Sequence, residues 1–287
     1  MSSIIQLKTR TRSVRNTRQI TGAMQLVAAS KMRQASERSL KMQPYHRQIS
    51  KLLVALKTQG VQDGHPLMQE REVKTKLLVL IAGETGLAGS YNANVLKRYL
   101  EEVEKNRAKG VKTLTLTIGK KATQLVAKVG ETSLGAYEGM DGKEIVLETR
   151  VIIEMVTKKF LAGEIDAVEI VYTQYHSSLS QEVDKWRLLP AGEIKEESVE
   201  AGIYKFEPSK ERVFERLVRK SLEVQLAQTI FDSLASEHSM RMMAMKNATD
   251  NADELIEDLT LAMNKERQAM ITNELSDISN GANAVEA

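Results

Sequence analysis

Cysteine is absent from the 287-residue chain. That excludes disulfides, thiolate zinc sites and cysteine nucleophiles, and it fits a reducing compartment. Proline occurs four times and aromatic residues make up 4% of the chain. Such a composition favours helices that meet through Leu, Val, Met and Ala. No apolar run approaches the ~20 residues needed to span a bilayer. The opening MSSIIQLKTRTRS lacks the apolar core of a secretory signal. A soluble, intracellular protein is the expectation.

Acid is nearly missing from residues 1–60, where Glu37 alone stands against twelve Lys or Arg, a balance of +11. Residues 208–287 carry fourteen acidic and nine basic residues, a balance of −5. The net charge of +3 hides this asymmetry. Ends of opposite sign either pair with each other or meet different partners.

Helix breakers are scarce in the same two regions. Between Ile4 and Lys57 there is one glycine, Gly22, and one proline, Pro44. Steps of seven from Leu7 reach Val14, Thr21, Ala28, Ala35, Met42, Ile49 and Leu56, a sustained heptad stripe. Ile20, Met24 and Val27 are read as widening it, and Pro44 as kinking or ending a segment. No Gly or Pro stands between Pro208 and Gly281. Ser209 is a candidate N-cap there, and Gly281 a candidate stop. One register runs Leu217, Val224, Phe231, His238, Met245, Ala252, Leu259, with a partner register through Ala227, Leu234, Arg241, Ala248, Leu255, Ala262 and Ala269. At ~1.5 Å per residue the two stretches span roughly 80 and 105 Å, far longer than helices of ordinary domains. They bury their stripes most simply against each other.

The middle reads as strands alternating with helices. Lys76–Ala82, Lys112–Ile118 and Ala167–Tyr175 are read as strands, and Glu182–Leu189 as a hairpin partner of the last. Asn92–Lys109, Lys120–Val129 and Lys143–Leu161 are read as helices, and Ala191–Glu207 as a polar connection. This grammar predicts a mostly parallel sheet covered by helices. The predicted fold is α plus α/β. It is a long antiparallel coiled coil of residues 1–60 and 208–287, with a Rossmann-like domain, 73–207, inserted between them.

The stretch IAGETGLAGSYN, Ile81–Asn92, has the look of a phosphate cradle. The dinucleotide fingerprint fails because Thr85 stands where the second glycine is needed. The Walker A spacing puts Ala88 or Tyr91 where the later Gly must be, and the run from Gly119 has Leu114 five residues earlier. A tight strand-to-helix turn is the plainer reading. The four histidines, His46, His65, His176 and His238, lack metal-ligand spacing. No catalytic constellation, cofactor site or metal site is predicted. The methionines at 240, 242, 243 and 245 surround a helix, as packing filler or as an adaptable surface. The basic first helix could hold nucleic acid, yet no stacking platform accompanies it, and an acidic partner serves equally. A nucleotide-dependent enzyme and a coiled-coil nucleic-acid binder remain the competing readings.

Three motifs carry a resemblance. NTRQITGAMQLVAASKM, Asn16–Met32, and SEHSMRMMAMKNATDNA, Ser236–Ala252, resemble the two end signatures of the gamma subunit of F-type ATP synthases. NKERQAMITNEL, Asn264–Leu275, extends the second, and GLAGSYN, Gly86–Asn92, resembles the family's glycine turn. Gly22 departs from the family's usual Lys, which loosens that turn by roughly 1 kcal/mol. Ala88–Gly89 stands where Cys-Gly is usual, and Ser90 where another Gly follows. The resemblance implies a non-catalytic rotor that turns inside a hexamer of alternating alpha and beta subunits. Its rotation couples transmembrane ion flow to ATP synthesis or hydrolysis. By carry-over Met24, Val27, Lys31, Arg267, Gln268 and Thr272 would face the hexamer. The inserted domain would sit toward the epsilon subunit and the membrane c-ring. No nucleic acid and no transmembrane segment are implied. Without the chloroplast cysteine insertion or a mitochondrial leader, a bacterial protein at the cytoplasmic face of the cell membrane is expected.

Overall fold

The computed structural model describes residues 2–61, 65–140, 143–192 and 205–286. Most of the polar connection expected at 191–207 lies outside them. The elements run α1 (Ser2–Thr58), a 3-10 turn (Pro66–Met68), β1 (Thr75–Ile81), α2 (Tyr91–Ala108) and β2 (Lys112–Ile118). There follow α3 (Lys120–Val129), β3 (Ser133–Tyr137), α4 (Lys143–Leu161), β4 (Ala167–Tyr175), β5 (Gln181–Leu189) and α5 (Lys210–Glu286). The chain divides into two compact units, Met1–Ala28 with Arg241–Ala287, and Ala29–Met240.

In the first unit α1 and α5 lie antiparallel. Thr21 and Thr249 share a hydroxyl bond of 2.7 Å, and Arg18 pairs with Asp253. Thr11, Thr21 and Ala28 are buried from α1, and Arg241, Met245, Ala252 and Leu259 from α5. All but Thr11 are heptad positions read from the sequence, whose side chains recur on one side of a helix every two turns. Ile20 and Val27 do not widen that stripe. They are 60% and 57% exposed, because their positions rotate them out of the seam.

The second unit holds a five-stranded sheet ordered β3-β2-β1-β4-β5. β1 is parallel to β2 and β4, β2 is parallel to β3, and β5 is antiparallel to β4. β1 reads as an unbroken apolar run because both faces are covered. Leu77, Val79 and Ile81 face a core shared with α4, with α5 through Phe214, Val218 and Ile230, and with α1 through Ile49, Leu53 and Leu56. Leu78 and Leu80 face α2 and α3 through Val95, Tyr99 and Val126.

Three expectations need correction. No segment ends at Pro44, since α1 continues through it. α5 does not stop at Gly281 but runs to Glu286. β3 was not expected at all.

Candidate functional site

The glycine turn joins β1 to α2 at the carboxyl end of the sheet, where open α/β sheets bind their ligands. Asn92 Oδ1 accepts the Gly83 N–H at 2.9 Å, so the first turn of α2 clasps the end of β1. Leu87 and Gly89 adopt left-handed φ values of 58° and 56°. Lys121 N–H donates to the Gly83 carbonyl at 2.9 Å and ties α3 to the same loop.

Two of the chain's own carboxylates lie at this end of the sheet. Glu84 accepts the Lys120 N–H at 3.3 Å and the Gly139 N–H at 2.8 Å, so an anion already occupies the start of α3. Glu237 of α5 is buried against the turn. A Cβ built on Gly83 would meet its carboxyl carbon at 2.9 Å. The remaining space is a cavity of about 20 Å³ between Glu84, Tyr91, Gly119 and Glu237, roughly enough for one water. That cavity is too small for a nucleotide, and two carboxylates line it.

His65 caps the 3-10 turn. His65 Nδ1 accepts the Leu67 N–H at 3.3 Å, and its ring meets Phe214 edge-on at 5.3 Å. Burial pulls its pKa down, opposed by Glu215 and aided by Arg219. Among the described residues no group of three His, Asp or Glu could hold a metal.

An ionic network joins α2 to β1, β4 and β5. Glu102, nearly fully buried, lies 2.9 Å from Lys185 and 3.0 Å from Lys105. Glu169 pairs with Lys76 at 3.1 Å, and Lys185 approaches its second oxygen at 3.3 Å without hydrogen-bond geometry. Burial alone would raise the Glu102 pKa, but bonds from Lys185 and Lys105 outweigh it and leave it lowered. Burial would lower the Lys185 pKa, and its two carboxylates outweigh that and raise it. Paired within the chain, these charges hold the sheet rather than act on a substrate.

The six carried-over residues stand on two helices. Met24 is half-buried, Val27 and Lys31 are exposed, and the three recur along one side of α1. Arg267, Gln268 and Thr272 are exposed on α5, where Thr272 Oγ1 donates to the Gln268 carbonyl at 3.0 Å. Composition and spacing missed Glu84, Asn92 and Glu237. Asn92 had a usable signal, a short polar side chain in the first turn after a glycine loop. Glu237 had none, because its contact joins positions more than 150 residues apart.

A family model described as ATP synthase matches residues 3–285. The ATP synthase gamma chain of Pelotomaculum thermopropionicum is 39% identical over 290 residues, spanning 100% of both chains. The chain belongs to the ATP synthase gamma-chain family. That of Glaesserella parasuis serovar 5 is 36% identical over 288 residues, covering 99% of this chain and 100% of its own. The fold is shared with the rotor of the Euglena gracilis mitochondrial ATP synthase in rotational state 1. The TM-score is 0.68 at 23% identity, over 94% of this chain and 99% of that one. A chain of the same organism's OSCP/F1/c-ring assembly in rotational state 3 gives 0.70 at 19% identity, over 99% and 95%.

Proposed function

We propose that the chain is the central-stalk rotor of a bacterial F-type ATP synthase. It does no catalysis itself. It turns inside a hexamer of alternating alpha and beta subunits and imposes a different conformation on each beta site in turn. That couples ion flow through a membrane c-ring to ATP synthesis or, in reverse, to hydrolysis. An asymmetric shaft works in this way because each angle stabilises one partner conformation over the others. Residues 1–60 and 208–287 serve as the coiled-coil shaft, and residues 73–207 as the Rossmann-like domain directed toward epsilon and the c-ring. Met24, Val27, Lys31, Arg267, Gln268 and Thr272 contact the hexamer.

The observation that carries this reading is the end-to-end likeness to proteins named ATP synthase gamma chain. The chemistry of the chain agrees with it. At the carboxyl end of the sheet Glu237 packs against the glycine turn and the cavity beside it is small and lined by two carboxylates, which disfavours the nucleotide-enzyme reading. Among the described residues no helix is long and apolar enough to cross a membrane. The rotor reading makes the protein peripheral, at the cytoplasmic face of the membrane.

Reconstitution tests the proposal. Purified chain is mixed with alpha and beta subunits, and the product is weighed by native mass spectrometry and assayed for ATPase. One copy for every three alpha and three beta, with ATPase that depends on the chain, is the expected result. Failure to assemble, or ATPase indifferent to the chain, overturns it.

A further inference from the structure

α5 meets the sheet through a feature that its heptad pattern does not require. Ser233, Ser236 and Ser239 recur every three residues, and all three are essentially inaccessible to solvent. Residues three apart are neighbours on a helix surface. The Thr173 N–H of β4 donates to Ser233 Oγ at 3.3 Å, and Ser236 Oγ donates to the Thr173 carbonyl at 3.5 Å. Two turns of α5 thus bracket one residue of the sheet. Ser239 Oγ donates to the Ser178 carbonyl, in the β4–β5 turn, at 2.8 Å, and receives the Gln181 amide at 3.2 Å. Beside the bracket Asp232 accepts the Ser39 hydroxyl at 2.7 Å, so α1 is tied to α5 at the same level.

The preceding turns of α5 bury Leu226, Ala227, Ile230 and Phe231 instead. Apolar contact is non-directional and tolerates small rotations of a helix. A hydrogen bond weakens steeply as its angle departs from linear. Three serines bonded to fixed backbone groups therefore set both the rotation and the axial position of α5 on the sheet. They also stand in the last turns of α5 before Met240, where the compact unit that holds the sheet ends.

We propose that Ser233, Ser236 and Ser239, with Gln181, are the torsional joint that locks α5 to the sheet of the α/β domain. The joint passes torque into that domain without slip. This rests on the rotor reading above.

The test uses the chain assembled with alpha and beta subunits. Because the chain has no cysteine of its own, Glu104→Cys and Lys128→Cys on the exposed sides of α2 and α3 give the only thiols for attaching a bead to the domain. Angular fluctuation of the bead is recorded while ATP hydrolysis is paused. Combining Ser233→Ala, Ser236→Ala and Ser239→Ala removes the hydroxyl partners of all four bonds, so the variance should widen by roughly twofold. ATPase per assembled complex should stay at the parent value. An unchanged variance overturns the proposal. If the triple variant does not assemble, the same recording is made on Gln181→Ala with Ser239→Ala, whose lost bonds lie on the β4–β5 turn. A parental variance there overturns the proposal as well. Failure of the parent chain itself to assemble would count against the rotor reading and not against the joint.

Discussion

Gly22 and Gly119 show how differently one residue type can matter. A Cβ on Gly22 meets nothing within 4 Å, and the residue lies inside α1. Gly22→Ala should therefore stabilise the chain by about 1 kcal/mol, through the helix propensity of Ala and a less flexible unfolded chain. A rise in the urea midpoint checks it. Gly119 has φ +97°, and its Cβ would lie 2.1 Å from the Ala82 carbonyl oxygen. Gly119→Ala should cost about 3 kcal/mol or more, from left-handed strain added to a backbone clash. The same urea titration, falling instead of rising, reads it out. Both glycines are plain in the sequence, yet only Gly22 could be judged there, because helix propensity is local. The need for Gly119 comes from a carbonyl 37 positions away. Glu84 and Glu237 were illegible for the same reason. The spacing tests could reject a phosphate loop, but they could not say that two carboxylates lie beside it.

Among elements, those whose environment is uniform along their length were the legible ones. α3 and α4 have the bounds expected from the sequence pattern. β3 escaped because SLGAY is short, contains Gly135 and alternates neither in pattern nor in burial. It exists because β2 offers it an edge, with a register shift between Thr115 and Leu116. The join of α2 to β4 and β5 was equally hidden, since nothing in the pattern pairs Glu102 with Lys185. That join gives the fold a pH window. Glu102 is held below its ordinary pKa, as is Asp166, where burial is outweighed by the Thr75 and Lys74 amides and by Arg71. A depressed carboxyl contributes stability above its unfolded pKa, about 4, and loses it as pH falls through the folded value. Lys185, raised, contributes stability below about 10.4 and loses it as pH climbs through its folded value. Denaturant midpoints measured across pH should accordingly show a plateau with an acid and an alkaline fall. Glu102→Gln should lower the plateau and flatten both limbs, since it removes the titrating acid and a partner of Lys185. Limbs as steep as those of the parent would refute this account.

At the scale of the whole molecule, α1 and α5 carry a packed seam and an exposed polar face, which stability and turnover together separate. Inside the first unit the seam is tight. Ala28 is 1% exposed on α1, so Ala28→Leu should overpack it and cost about 1–3 kcal/mol. Arg267 and Gln268 stand on α5 with exposed side chains, and exposed positions of this kind usually move stability by no more than about 0.5 kcal/mol. If they were merely a solvated polar face, Arg267→Ala and Gln268→Ala would change nothing measurable. If they meet the hexamer, as the rotor reading requires, each loses a hydrogen bond to a partner. A bond from the Arg267 guanidinium is worth about 1.5–3 kcal/mol, so ATPase of the Arg267→Ala complex should fall roughly tenfold or more, and that of Gln268→Ala, a neutral partner worth about 0.5–1.5 kcal/mol, should fall less. The contrast between the two measurements is what identifies a partner surface. Melting of the isolated chain should be unmoved by Arg267→Ala and clearly lowered by Ala28→Leu. Turnover per assembled complex should follow the opposite order, provided the Ala28→Leu chain is held below its melting temperature. Equal turnover of the Arg267→Ala complex and the parent would remove Arg267 from the contact surface and leave it a solvated end of α5.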